Sequence, residues 1–482
     1  MQILWQKITV KELKITQLVW QTMNGIMCLC RLSAVALVWV FIPEETLAQD
    51  FRLLRFEEDY RLSPDSAGSF YNGLKHMQIN SPLTLELSIG GEIRSEWAVK
   101  VNENWMANQG FNHSFLNRYS LHAGLRSGKK ARVFLQLNSS LENGSRFAVS
   151  TSDEDKLNVQ NLFLDYDFSS TPALQLLLRI GRQELDYGSG RLISVKDGNN
   201  SRQYFTGFKF SYAKPRLKID AFILAADKIH PGFFDNQTRP KANLWGTYSD
   251  IRFDNTGNFD IYYLGVMREQ SQFESGIEKE LRHTLAIRYW KDSNTFKYNL
   301  EMAYQFGSFG PNAISAWTMA IELGYRFKGL KFTPTLALRN DYISGDENVK
   351  DKNLNSFNPL YPRGGYFGFN PLIGPSNLID IHPYLTLNLS NKLLFQIDLV
   401  CNWRYSLQDG IFHPSGSFNL GGADSRERYI GTTYLLSADY RLNRYLSISL
   451  GYQYFKVGYF IKDIIPNTAN SKFFNAQFSL KF

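Results

Sequence analysis

Charged and amide side chains recur at every second position in stretches whose other positions are largely apolar, and this spacing limits the chemistry open to them. In residues 114–126 the phase groups Arg118, Ser120 and His122, and in 130–139 it groups Arg132, Gln136 and Asn138. In 392–405, Asp398, Asn402 and Arg404 stand opposite Leu393, Phe395, Ile397, Leu399, Cys401 and Trp403. Arg288, Glu322, Arg326, Arg339 and Asp341 keep the same phase. Residues two apart share one face of an extended strand, so the pattern makes a lined surface, not a clustered centre. Guanidinium groups outnumber carboxylates on that surface, which would concentrate polyanions. The alternative is that these charges only solvate a water-filled space and pair with one another.

Bond-making chemistry has no comparable signature. There is no G-x-S-x-G element, and His76, His113, His122, His230, His283, His382 and His413 are scattered without the spacings zinc requires. The neighbouring carboxylates Asp153–Glu154 and Asp346–Glu347 fall in predicted loops. Cys28 and Cys30 precede the apolar run Leu32–Pro43, which leaves Cys401 alone in a processed chain, too few for a disulfide framework or a cysteine metal site. No enzyme activity, metal or cofactor is expected. The net charge of +8 comes from basic residues spread singly along strands, so nucleic acid is not an expected partner.

The elements that must position the lining are strands. The chain end, Phe473–Phe482, places Phe474, Ala476, Phe478, Leu480 and Phe482 on one face and Asn475, Gln477, Ser479 and Lys481 on the other. A soluble protein would carry this as an exposed apolar edge, whereas a closed barrel pairs it with the first strand. The same alternation predicts eighteen strands, at 83–100, 114–126, 130–139, 157–169, 173–187, 202–213, 216–226, 243–253, 258–268, 281–290, 295–306, 313–327, 330–345, 376–390, 392–405, 430–441, 444–457 and 473–482. Even-numbered connections are short, such as Lys214–Pro215, Lys328–Gly329 and Asn391. Odd ones are mostly long: 140–156, 188–201, 227–242, 269–280, 346–375, 406–429 and 458–472. Segregation of loops by parity belongs to bacterial barrels. So does the balance of 26 Tyr, 36 Phe and 9 Trp with 20% charged residues.

The fold class is therefore all-β, a transmembrane antiparallel barrel of about eighteen strands in a Gram-negative outer membrane. It is preceded by a signal peptide at 1–48, whose apolar run Leu32–Pro43, about twelve residues, is too short to span a bilayer and is followed by the small residue Ala48 at the expected cleavage site. Residues 49–82 read as a periplasmic lead and 83–482 as the barrel. In the strand at 173–187, Arg179 shares a face with Gln175, and a bulge at Gly181 would turn Arg182 inward. The loop at 346–375 carries Phe357, Tyr361, Tyr366, Phe367 and Phe369 among Asn, Gly and Pro. It suits sugar contacts, a lid or plug inside the lumen, or a cover over the rim.

The stretch Arg179–Phe210, with its G-R-Q, Y-G-x-x-R-L and aromatic-G elements, resembles the alginate-export family of outer-membrane porins, as do Ser88–Trp97, Arg132–Gly144 and Arg339–Gly368. The resemblance covers residues 52–482. It implies a channel passing an anionic polysaccharide or acidic oligosaccharide by passive diffusion through an arginine-rich constriction. The filter residues it implies are Arg94, Arg118, Arg132, Arg182, Arg191, Arg339 and Arg404, with Glu184 and Asp341 as acidic counterparts. Expected partners are the polyanion, outer-membrane lipid and lipopolysaccharide, the barrel-assembly machinery, which an aromatic C-terminal strand addresses, and a periplasmic delivery complex. A monomer is the default. A general or small-solute porin and a plugged adhesion barrel are the competing readings.

Overall fold

The computed structural model describes residues 51–60, 70–79, 85–107, 109–171, 173–253 and 256–482. The signal-peptide expectation at 1–48 lies outside the described residues. Among the described residues eighteen strands form the antiparallel barrel wall: β1 Leu85–Val101, β2 Phe111–Ser127, β3 Ala131–Asn143, β4 Asp155–Asp167, β5 Gln175–Gln183, β6 Phe205–Lys214, β7 Leu217–Lys228, β8 Gln237–Phe253 and β9 Gly257–Phe273, followed by β10 Gly276–Asp292, β11 Phe296–Phe309, β12 Asn312–Arg326, β13 Thr335–Ile343, β14 Leu378–Ser390, β15 Leu393–Arg404, β16 Tyr429–Arg441, β17 Leu446–Val457 and β18 Ser471–Lys481, and the short segments Met77–Ile79 and Asn353–Leu354 add to the same sheet, the second in parallel with β12. The sheet closes on itself because β1 pairs with β18, Trp97 opposite Ala476 and Glu92 opposite Lys481. Closure leaves no edge in the bilayer.

The two faces invert the arrangement of a soluble protein. Ile223 is 69% exposed and Phe208 56%, whereas Arg118 is 1% exposed and Asp341 fully buried. Apolar side chains point outward to lipid and charged ones inward, as the two-residue rhythm requires. The barrel is a membrane-spanning cylinder of the outer-membrane type.

Two stretches differ from the sequence expectation in instructive ways. Residues 269–280 are not a loop, since β9 and β10 continue to Phe273 and Gly276 as a long hairpin. Its tip escapes the apolar–polar alternation because both faces of a strand are wet beyond the lipid. Conversely, the strand expected to run to residue 187 ends at Gln183, and the chain turns into the lumen. Here Gly181 has φ 130°, and a Cβ on it would lie 2.3 Å from the Leu162 carbonyl oxygen, so glycine alone fits.

Apolar packing sits inside the barrel. Leu185, Leu192, Ile193, Phe357, Leu360, Phe367, Ile373, Phe460 and Ile461 from the connections pack against Phe205, Phe222, Leu224, Leu244, Val266, Val400 and Phe455 from the wall. A second cluster joins Leu54 and Phe56 of the N-terminal segment to Phe134, Phe163 and Val195. Residues 51–60 thus do more than lead to the barrel: they enter its lumen.

Candidate functional site

The connection 184–204, between β5 and β6, crosses the lumen and is held at both ends by ions. On the near wall, Arg94 donates to the carbonyl oxygens of Asp197 at 2.6 Å and Asn199 at 2.9 Å. Arg118 pairs with Asp197 at 2.8 Å and Glu92 at 3.3 Å. On the far wall, Arg191 meets Asp341 at 2.6 Å and Glu301 at 3.3 Å, and Ser189 Oγ donates to Glu301 at 2.6 Å. Glu184 is fully buried where the crossing begins, accepting from Gln160 at 2.9 Å and Asn161 at 3.2 Å with Arg202 at 3.0 Å. Gln160 and Asn161 both reach it because β4 slips register against β3 at this point.

A second connection, 344–377, meets the first. Tyr361 N–H donates to Leu192 O, Ser194 N–H to Tyr361 O and Arg363 N–H to Gly190 O, at 2.9, 2.9 and 2.8 Å. The loop therefore folds into the lumen, not merely over the rim. Wall residues hold it there: Arg268 donates to Leu360 O at 2.9 Å, Arg282 to Ser356 O at 3.1 Å, and Gln453 accepts from Phe369 N–H at 2.9 Å. Connection 405–428 braces it. The Asp409 carboxylate accepts from the Asp346 amide at 2.9 Å and from Ser356 Oγ at 2.5 Å, and Asp346 and Asp409 are both buried. Burial pushes the Asp409 carboxyl up to about 7, against hydrogen bonds from Ser356 and the Asp346 and Gly410 amides, and pushes Asp346 up to about 6.

The expected filter residues thus separate. Arg94, Arg118, Glu184, Arg191 and Asp341 converge on connection 184–204, where they bind protein. Arg132 lies by the N-terminal segment, donating to Asp165 at 2.6 Å and Phe56 O at 2.7 Å. Arg404 faces the lumen side but is fully buried, donating to the carbonyl oxygens of Leu407, Asp409, Gly422, Ser425 and Glu427 beneath the ring of Phe460. Its charge is consumed in folding a loop. Arg182 is not turned inward: β5 keeps register through Gly181 with both neighbours, and Arg182 stands opposite Leu162, whose side chain is on the lipid side. It pairs with Asp227 at 3.2 Å. Of the nine, Arg339, with Glu322 at 3.4 Å, lines the larger of two open spaces and Glu184 borders the smaller.

Those spaces make up a vestibule at the end of the barrel that carries the short turns. One cavity of about 490 Å³ is lined by Arg288, Lys291, Lys297, Arg339 and Arg363 against Asp292, Glu322 and Asp398, with Trp290, Tyr298 and Phe369 among them. A second of about 370 Å³ is more acidic, with Glu57, Glu184, Asp186, Asp220, Asp250 and Asp260 against Lys209, Lys218 and Arg288. The two share Gly188, Arg288 and Trp290. Both volumes fall in the range of about 300–1,000 Å³ typical of small-ligand sites. Sequence reasoning did not single out Lys297, Trp290 or Arg363 as site residues. The charge of Arg363 between the aromatics of 346–375 was the available signal.

The sequence model of the alginate export family matches residues 85–475. Among curated proteins, none matches the chain in sequence. Solved structures of similar fold include Acinetobacter baumannii OccAB1, with TM-score 0.57 and 12% identity over 82% of this chain and 97% of that one. The outer membrane protein opdK of Pseudomonas aeruginosa gives TM-score 0.55 and 12% identity over 82% and 98%. Pseudomonas aeruginosa OpdO gives TM-score 0.53 and 12% identity over 82% and 97%.

Proposed function

The chain belongs to the alginate-export family and is an outer-membrane β-barrel channel, and from that premise we propose that it passes an anionic polysaccharide or acidic oligosaccharide by passive diffusion, as a monomer. The observation that carries this reading is the larger vestibule cavity, where five Lys and Arg side chains face three carboxylates beside aromatic rings. A cationic, aromatic-lined water space raises the local concentration of acidic sugars and offers ring faces to pyranose C–H groups. The selecting surface in this reading is the vestibule and not a ring of arginines at the narrowest point, because Arg94, Arg118 and Arg191 are committed to connection 184–204. Solute then passes when that connection and 344–377 move aside.

Planar-bilayer recordings test it. An anion-preferring pore whose current is interrupted by added polyuronate supports the reading; a cation-preferring pore indifferent to polyuronate contradicts it. The acidic lining of the smaller cavity is the observation on the side of a general small-solute porin. Charge-tolerant, size-limited uptake in liposome swelling would favour that alternative.

A further inference from the structure

We propose that Arg363 is the residue that reads the carboxylate of a single acidic sugar unit resting in the vestibule. This rests on the functional reading above and locates its recognition step on the closing loop instead of on the wall. It follows first from accounting for the guanidinium groups. Arg94, Arg118, Arg191, Arg282 and Arg404 are buried and each is bonded to protein acceptors, so none presents a free fork to solute. Arg363 differs: its side chain is exposed and lines the larger cavity, and among the described residues its charge acts on the Asp186 carboxylate without a direct hydrogen bond or ion pair.

Its position is nonetheless fixed. The Arg363 amide donates to Gly190 O at 2.8 Å, where connections 344–377 and 184–204 cross, and its Cβ lies 3.4 Å from where a Cβ on Gly190 would stand. Gly190 has φ 72°, the left-handed region that favours glycine, so the carbonyl that receives the Arg363 amide is set by a turn few other residues would adopt. An anchored backbone with a free planar fork suits bidentate capture of a carboxylate, at little ordering cost to the main chain. Phe369, six residues on in the same loop and 38% exposed, lines the same cavity and supplies an apolar face for the sugar ring. Lys297 and Arg339 bring further positive charge, partly offset by Glu322 at 2.9 and 3.4 Å. One acidic pyranose unit is the ligand class this set fits. Because the fork hangs from the loop that closes the lumen, a bound sugar acts on the crossing itself.

The test is block of single-channel current by a hexuronic-acid tetramer, with a neutral glucose tetramer for comparison and both added from the turn side. The wild-type channel, Arg363→Ala, Arg363→Lys and the exposed loop variant Arg426→Ala are compared. The expected result is a half-blocking concentration for the acidic tetramer raised about tenfold in Arg363→Ala, as for one lost charge-assisted pair. Arg363→Lys should recover part of this, and Arg426→Ala and the neutral tetramer should show no change. Equal block of wild type and Arg363→Ala by the acidic tetramer overturns the assignment while leaving an anion channel standing. If the acidic and neutral tetramers act alike on the wild type, the functional reading fails, and this inference with it.

Discussion

The two ends of the lumen are made of opposite materials. At the loop end, connections 184–204, 344–377 and 458–470 deliver Leu192, Ile193, Phe367, Phe460 and Ile461 into an apolar cluster continuous with the wall. At the turn end, Arg288, Lys297, Glu322 and Asp398 face open volume. Between them runs a layer of ion pairs, Arg191 with Glu301 and Asp341 buried on one side and the buried Arg118 with Glu92 and the half-exposed Asp197 on the other. Charge in this barrel therefore does two jobs. Where it is buried and paired it folds the closing loops, and where it is hydrated it is left for solute. A count of arginines does not separate the two; their acceptors do.

The largest effect on this contrast should come from breaking the far anchor. Arg191→Ala strands Glu301 and Asp341 as buried carboxylates without their guanidinium, a cost of about 3–5 kcal/mol. Connection 184–204 should detach, and open-channel events should become more frequent than in the parent. Heat-modifiable mobility on gels should show that the barrel itself persists. An unchanged current record would mean that the crossing is not held there.

A smaller, graded effect should follow pH. Asp346 and Asp409 join two closing connections, and burial raises them from an ordinary 3.8 to about 6 and about 7. For carboxyls raised on folding, the joint is at full strength below about pH 4 and weakens as pH rises through about 6 to 7, when buried charge must form. Open probability should increase over that window, and Asp409→Asn, which stays neutral, should flatten the profile. A profile that persists in Asp409→Asn would place the titration elsewhere.

The smallest effect on conduction belongs to Arg182→Ala. The side chain stands on the lipid-side face of β5 and pairs with the buried Asp227 carboxylate, so Arg182→Ala should lower barrel stability while leaving selectivity unchanged. A lowered anion preference in reversal-potential measurements would show that its guanidinium reaches the pore after all.

The barrel was legible because lipid and water impose a two-residue period on each strand, and all eighteen strands carry it. Where both faces are wet, as at the β9–β10 tip, the period vanishes and the element was missed. The inward phase of Arg118, Arg339 and Asp341 was equally legible, since it is a property of one strand. Which arginines remain free was not, because their partners come from afar: Arg191 meets Asp341 and Arg94 meets Asp197 across the lumen. Gly181 reads in sequence as a bulge, yet the register slip is on the neighbouring strand, at Gln160–Asn161. Arg363 could be placed in a loop but not aimed, since its direction depends on a backbone contact with Gly190.

The central claim is that the crossing of connections 184–204 and 344–377 closes the lumen, and a reversible lock tests it most directly. Ile193 and Tyr361 are bridge partners, close enough for a disulfide once both are cysteine. With Ile193→Cys and Tyr361→Cys in a Cys401→Ser background, single-channel current should fall to near zero on oxidation and return on reduction. Full current through the oxidised, cross-linked barrel would contradict the account.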